Sequence, residues 1–159
     1  MPRDEAFLKP SLVERLFNRV FGMLAGLGIG LAHNYRLTVR GRKSGRQYRT
    51  PVNLLRIDGR DYLVAPRGET GWVRNVRASG ELQLTRGSDD AVYAAREVPI
   101  AERVPILREY LARYTTTVQR YFAVDPSSTD DEYSRVAKRY PVFELKRLDG
   151  INPPAKSGS

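Results

Sequence analysis

The residues best suited to binding chemistry form a short basic segment between two glycines. Arg42, Lys43 and Ser44 lie between Gly41 and Gly45. A tight turn there would direct successive backbone N–H groups to one side, and the three side chains would add charged and hydroxyl donors. Such a turn can hold a phosphate or a carboxylate. The segment lacks the glycine spacing of a P-loop, and a solvated hairpin tip or a localisation signal is the alternative interpretation.

A second candidate segment, 66–75, follows a predicted strand that ends at Ala65 and reads PRGETGWVRN. Its glycines predict a flexible connection to a helix that begins near Trp72. Backbone donors at a helix start, with Arg67 and Arg74 alongside, suit an anion or the edge of a planar ring. Trp72 and Asn75 are candidates for direct contact with such a ligand, although a core position is the more common place for a tryptophan.

Composition excludes several other kinds of chemistry. The 159 residues include no cysteine and one histidine, His33, which rules out disulfides, thiolate metal sites, a cysteine nucleophile and histidine pairs. No paired carboxylates accompany either candidate segment, so hydrolytic and metal-dependent chemistry lack their usual residues, and no metal is expected. An enzyme made from these residues would take its reactive group from a cofactor.

The positive charge of the chain is confined to one part of the sequence. Residues 15–57 hold nine arginines and lysines and no acidic residue, whereas the other 18 basic residues are matched by 18 acidic ones. The whole net charge of +9 therefore comes from this window. The window predicts an anion site, a contact with a membrane surface or a nucleic-acid patch.

The hydrophobic pattern predicts the elements that position these segments. Period-two alternation and turn residues predict six strands over 35–40, 52–57, 61–65, 81–85, 91–98 and 141–147. Helices are predicted over 11–27, 72–78, 99–113 and 129–138, the last with a capping box of Thr129 and Glu132. Short antiparallel units with inserted helices indicate an α+β fold, a small and mostly antiparallel β-barrel.

The chain is predicted to form one domain, 1–159. Residues 1–31 form an N-terminal helix and lead-in, 35–148 the barrel, and 149–159 a flexible tail. The acidic residues near Met1 do not fit a signal peptide, and the apolar stretch 20–32 is shorter than the roughly 20 residues of a spanning helix. A cytoplasmic location is expected, with membrane association through the 11–27 helix as an option.

Three motifs at compatible spacing resemble the deazaflavin-dependent nitroreductase family. They are Gly-Arg-Lys-Ser-Gly-Arg at 41–46 followed by Arg-Thr-Pro at 49–51, Val-Ala-Pro-Arg-Gly at 64–68, and Trp-Val-Arg-Asn at 72–75. The resemblance is strong over 35–85 and extends to the rest through length and order of elements. It implies a split β-barrel of the FMN-binding-like superfamily of flavin and deazaflavin oxidoreductases.

The resemblance also implies a ligand, reduced coenzyme F420, which is a deazaflavin with a phosphodiester and a polyglutamate tail. By this resemblance Arg42, Lys43 and Ser44 hold the phosphate and tail, and Arg49 and Pro51 lie beside the ring and its linker. Segment 65–68 lies along the deazaflavin. The implied cofactor-binding residues are Arg42, Lys43, Ser44, Arg49, Pro51, Ala65, Pro66, Arg67, Gly68, Trp72 and Asn75. No catalytic residue is assigned.

The function implied is that of an F420H2-dependent reductase, resembling nitroreductases or quinone reductases. It would pass hydride to a quinone-like, otherwise conjugated or nitroaromatic small molecule. An FMN-dependent enzyme or a non-catalytic coenzyme carrier of the same fold is one alternative. A nucleic-acid-binding protein is another, but the sequence holds no recognised nucleic-acid motif, so no nucleic acid is expected. Peripheral membrane contact through the 11–27 helix is compatible with the reductase.

Overall fold

The computed structural model describes residues 34–148, which form a closed antiparallel barrel of six strands. The predicted fold class is confirmed for these residues. Outside them lie the predicted 11–27 helix, the lead-in 1–31 and the tail 149–159. Around the barrel the order is β1-β2-β3-β6-β5-β4. The strands are β1 (Asn34–Arg40), β2 (Gln47–Ile57), β3 (Arg60–Val64), β4 (Glu81–Arg86), β5 (Asp89–Glu97) and β6 (Val142–Arg147).

Three helices connect the strands, namely α1 (Gly71–Ser79), α2 (Val104–Val118) and α3 (Asp130–Val136). α1 ends as predicted at Gly80, whose φ of 69° lies in the left-handed region. The helix predicted to open at Pro99 starts instead as a 3₁₀ turn, Ile100–Glu102, and the α-helix follows with Pro105 in its first turn. Proline fits that position because the first-turn N–H groups have no intrahelical partner. No helix within residues 34–148 is long and apolar enough to cross a membrane.

Turn chemistry sets the strand connections. Asp58 and Gly59 have φ values of 51° and 77°, the left-handed pair of a two-residue hairpin that the Asp-Gly dipeptide predicts. The β4–β5 turn is shorter than the predicted 87–90, because Asp89 and Asp90 pair with β4. A two-residue connection fits the twist of the paired strands better than the longer turn would.

Alternate residues of β2, β3 and β6 face two separate hydrophobic cores. Leu54 and Leu63 are cross-strand partners and face the barrel interior, whereas the next pair, Leu55 and Tyr62, faces outward. This is the period-two alternation of a strand that is covered on both faces. The interior core includes the buried face of α1, and the outer core is formed between the barrel wall and α2 and α3. Therefore α1 packs against the barrel interior, and α2 and α3 pack against the outside of the barrel wall.

A buried arginine joins the start of α2 to the barrel. Arg103 is 5% exposed, and its guanidinium donates to the carbonyls of Val98 at 2.9 Å and Ala137 at 3.2 Å. It also donates to the Glu97 carboxylate at 3.2 Å. Burial lowers the pKa of this guanidinium, and the charge of Glu97 opposes that effect. Arg103 thus fastens together segments from β5, α2 and the turn after α3.

Substitution of this arginine tests the fastening. We expect Arg103→Met to lower the free energy of unfolding by about 3 kcal/mol, because it removes the side-chain donor of the Val98 carbonyl, one of the donors of the Ala137 carbonyl and a partner of Glu97. The control Arg113→Met removes an exposed arginine of the same helix, whose partner Glu109 lies at 3.5 Å, and should cost less than about 0.5 kcal/mol. Urea unfolding followed by circular dichroism measures both values. Equal losses in the two variants would contradict the role given to Arg103.

Candidate functional site

The turn between β1 and β2 is closed by its own backbone. The Gly41 N–H donates to the Arg46 carbonyl at 2.7 Å, and the Gly45 N–H donates to the Gly41 carbonyl at 3.1 Å. A Cβ on Gly41 would lie 2.4 Å from a ring carbon of Tyr48, so any side chain there would force the Tyr48 ring to move. The Ser44 hydroxyl accepts from the Arg46 N–H at 3.2 Å. Ser44, which is predicted to bind the cofactor, therefore also helps to close the turn.

The turn is joined to α1 through one buried side chain. Both the backbone N–H and the guanidinium of Arg42 donate to Asn75 Oδ1, at 3.1 and 2.9 Å. Asn75 is 2% exposed and lies on the buried side of α1. These two hydrogen bonds bring the two candidate segments, 33 residues apart in sequence, into one site. Lys43 stays exposed beside them and has no partner within residues 34–148.

Segment 65–68 is held against the strand entry at Pro141. The Ala65 N–H donates to the Pro141 carbonyl at 2.9 Å, and the Gly68 N–H donates to the Ala65 carbonyl at 3.1 Å. Gly68 has φ +78°, and a Cβ there would lie 3.2 Å from the Arg139 carbonyl, so a side chain would be strained and tightly confined. The backbone of this segment is therefore fixed, while the Arg67 side chain is exposed.

The first turn of α1 presents donors without a cap. Thr70 occupies the N-cap position, but its side chain makes no capping hydrogen bond, and its Oγ1 is buried without a partner in the described part of the chain. No acidic residue lies in that turn. Unpaired N–H groups and the positive end of the helix dipole favour an anion at this position. Thr70 is not among the site residues predicted from the sequence, although a threonine close before a predicted helix start is an N-cap signal.

The acid closest to this helix start is neutralised by an arginine. Glu69 accepts from Arg77 at 2.7 Å, and Arg77 also binds Glu97 with two hydrogen bonds at 2.8 and 2.7 Å. The bond to Arg77 lowers the pKa of Glu97, and hydrogen bonds to both carboxylates raise the pKa of Arg77. The spacing in sequence gave no indication of this triad. Because Arg77 pairs with Glu69, the negative charge of Glu69 is neutralised close to the start of α1.

The other residues predicted to bind the cofactor lie in different environments. The Trp72 ring packs against Phe143 with centroids 5.9 Å apart, so one side of the indole belongs to the interior core. Ala65 is 1% exposed, so it offers almost no surface to a ligand along this segment. Arg49 and Pro51 lie on the face of β2 that carries the outward Leu55, by period-two alternation. Pro66 is half-buried next to Arg67.

The site as a whole is built to attract negative charge. Its candidate donors are the exposed Lys43 and Arg67, the uncapped start of α1 and the buried Thr70 hydroxyl. No group of His, Cys, Asp or Glu side chains that could hold a metal occurs among residues 34–148. The donor set fits an elongated ligand with phosphate or carboxylate groups, because donors from a turn, a helix start and exposed cations occur in one region.

A family model described as F420H(2)-dependent quinone reductase matches residues 15–133 of the sequence. No curated protein matches the sequence of this chain. Among solved structures, an F420-H2 dependent reductase (FDR-A) is similar with a TM-score of 0.52 and 20% identity, over 72% of this chain and 95% of that one. The Agrobacterium tumefaciens protein Atu2129, of unknown function, is similar with a TM-score of 0.55 and 19% identity, over 72% of this chain and 48% of that one.

A third solved structure is similar in fold over a larger share of this chain. The putative pyridoxamine 5'-phosphate oxidase of Listeria innocua has a TM-score of 0.50 and 9% identity, over 84% of this chain and 94% of that one. At these identities the solved structures establish the fold alone. They confirm that the barrel is of the split, FMN-binding-like type.

The Arg42–Asn75 link can be tested without any ligand. We expect Asn75→Leu to lower the free energy of unfolding by about 2 kcal/mol, because two donors lose their acceptor. Trypsin should also cut the 42–46 turn faster in this variant, since the turn is no longer held to α1. Asn75→Asp keeps the acceptor oxygen and is the matched control. Identical cleavage rates in Asn75→Leu and the wild type would refute the link.

Proposed function

The chain belongs to the F420H(2)-dependent quinone reductase family, and on that premise we propose that it transfers hydride to a quinone-type small molecule. It is an oxidoreductase that uses coenzyme F420. When bound, the coenzyme supplies the hydride, and the protein supplies binding, orientation and electrostatics. The observation that carries the proposal is the pair of hydrogen bonds from Arg42 to Asn75, which makes one anion-attracting site from the two candidate segments.

The residues that we propose for holding the coenzyme divide into two groups by chemistry. Lys43 and the backbone of the 41–45 turn would hold its anionic phosphodiester and tail, with Arg42 fixed in place by Asn75. The backbone of 66–68, Arg67 and the start of α1 would hold the planar ring, with Ala65 buried beneath them. The buried Thr70 Oγ1, unpaired within residues 34–148, supports this assignment because a polar ligand there would satisfy it.

The chain's own contribution to the reaction is position and charge. Gly68 and Ala65 are fixed by backbone contacts to 139–141, and Trp72 is fixed by Phe143, so the proposed ring surface is rigid. Such preorganisation lowers the barrier by holding reacting atoms at about 3–3.5 Å. Neither candidate segment provides a strong general acid, because Glu69 is bound to Arg77.

A spectrophotometric assay tests the acceptor. We expect the protein to oxidise reduced F420 when menadione is present, with no turnover when reduced nicotinamide replaces the coenzyme. A nitroaromatic acceptor is assayed beside menadione at equal concentration, because either chemistry fits a hydride donor. Turnover with FMN or the nicotinamide and none with reduced F420 would refute the proposal and favour the flavin alternative.

Lys43 provides the sharpest test of the anion site. We expect Lys43→Ala to weaken binding of F420 by roughly 10- to 150-fold, the value of a charge-assisted hydrogen bond, and to leave the unfolding midpoint unchanged. The control Lys146→Ala removes an exposed lysine from β6 and should leave binding unchanged. Fluorescence titration at low and high salt measures both affinities. Unchanged affinity of Lys43→Ala at low salt would remove this lysine from the site.

A further inference from the structure

One tyrosine in the second half of the chain differs from the others. The hydroxyls of Tyr114 and Tyr133 donate to the Leu54 and Asp125 carbonyls at 2.7 and 2.8 Å, and that of Tyr140 donates to a carbonyl at 3.2 Å. Tyr110 is buried, and its hydroxyl meets Asn53. Their hydroxyls are therefore engaged inside the fold.

The hydroxyl of the half-buried Tyr121 is engaged only as an acceptor within residues 34–148. Arg120 donates to it at 2.7 Å, and no described residue receives its own hydrogen. The Arg120 guanidinium lies 4.8 Å from the centre of the Tyr121 ring, and the Arg67 guanidinium lies 5.8 Å from it. Neither arginine forms an ion pair with a described residue. The cluster is a free O–H donor with two unneutralised cations beside it.

The backbone of Tyr121 is rigidly held. Its carbonyl accepts from the Tyr140 hydroxyl at 3.2 Å, and the same hydroxyl accepts from the Ala123 N–H at 3.0 Å. The Phe122 ring stacks on the Tyr140 ring, with centroids 4.3 Å apart. The 3₁₀ turn Gln119–Tyr121 is thus fastened at Tyr140 on both sides of Phe122.

Segment 139–141 also holds the loop that carries Arg67. Ala65 bonds to the Pro141 carbonyl, and Gly68 lies against the Arg139 carbonyl. Residues 65–68 and Tyr121 are therefore positioned by one and the same short segment. This common anchor explains how Arg67 reaches the Tyr121 ring from a loop that is more than 50 positions earlier in the sequence.

We propose that Tyr121, supported by Arg120 and Arg67, forms an oxyanion site that donates a hydrogen bond and then a proton to an oxygen of the quinone-type acceptor. The inference rests on the proposed function, because Arg67 belongs to the loop assigned there to the coenzyme ring. A hydroxyl donor backed by cations is the arrangement that stabilises charge developing on an oxygen. It supplies the acid that the two candidate segments lack.

Hydride transfer and proton transfer together would reduce the quinone to the quinol. The bound coenzyme would supply the hydride, two electrons and one hydrogen, as its C–H bond breaks, and would become oxidised. An O–H bond would form on one quinone oxygen, and the negative charge would remain on the other oxygen. The Tyr121 O–H bond breaks as an O–H bond forms on that oxygen, giving the neutral quinol. The Tyr121 oxygen then regains a proton from water.

The Tyr121→Phe variant tests this role in turnover. We expect kcat with menadione and reduced F420 to fall about 100-fold, as for loss of a general acid, while the affinity for F420 stays within twofold of the wild type. Tyr35→Phe is the matched control, since Tyr35 also lies beside an arginine, with Arg86 at 5.7 Å from its ring, and its hydroxyl contacts Asp89 at 3.4 Å. It should keep the wild-type kcat.

A binding measurement provides a second readout that is independent of turnover. The anion of 2-hydroxy-1,4-naphthoquinone is titrated into the full chain, with and without oxidised F420. Tyr121→Phe and Arg120→Gln should each bind it about tenfold more weakly than the wild type, and Tyr35→Phe should bind it equally well.

The outcomes separate this inference from the proposed function. Failure of the wild type to oxidise reduced F420 with menadione would refute the proposed function, and the titration alone would then decide the oxyanion site. Weaker binding by Tyr121→Phe supports the site. Absence of binding by the wild type, equal binding by Tyr121→Phe, or an unchanged kcat in that variant overturns it.

Discussion

The candidate site depends on a single buried oxygen, Asn75 Oδ1. It accepts hydrogen bonds from the backbone N–H and from the guanidinium of Arg42, and so holds the β1–β2 turn against α1. An exposed hairpin tip is normally the most mobile part of a barrel, and binding an anion there would cost ordering entropy. Fastening the tip to a helix that is part of the interior core removes much of that cost before any ligand arrives. The barrel core, the helix and the turn thus act as one unit.

A second anchor serves the other side of the site. Segment 139–141 contacts residues 65–68 and the turn that ends at Tyr121, and the carbonyls of Ala137 and Val98 are joined by Arg103. The barrel strands and the later helices therefore meet at the start of β6. This arrangement makes irregular segments rigid without secondary structure of their own, which is what a planar ligand and its reaction partner need if they are to be held at a short distance.

Local patterns predicted that six strands exist, together with the Asp58-Gly59 hairpin, the Gly80 helix end and the capping box at Thr129, because these depend mainly on neighbouring residues. The predicted strand 52–57 was too short, since β2 begins at Gln47 and pairs with β1 from there. The predicted start of the helix at Pro99 and the predicted β4–β5 turn over 87–90 were wrong in detail, since tertiary contacts and strand pairing decided them. The motifs named the residues at the two candidate segments but not the bond between Arg42 and Asn75. No local spacing can predict a contact across 33 residues, and the same holds for the contact of Arg67 with the Tyr121 ring and for the Glu69–Arg77–Glu97 triad.

The distribution of charge shows why the geometry matters more than the total. The basic window counts Arg42 and Lys43 as equals, yet Arg42 has a fixed hydrogen-bond partner in Asn75 whereas Lys43 has no described partner. The first supplies a rigid frame, and the second supplies charge that a ligand can neutralise. Likewise Arg77 cancels Glu69, while Arg67 and Arg120 stay unneutralised beside Tyr121. An excess of +9 could attract any polyanion from solution, whereas cations held at fixed positions can also discriminate among anions by shape.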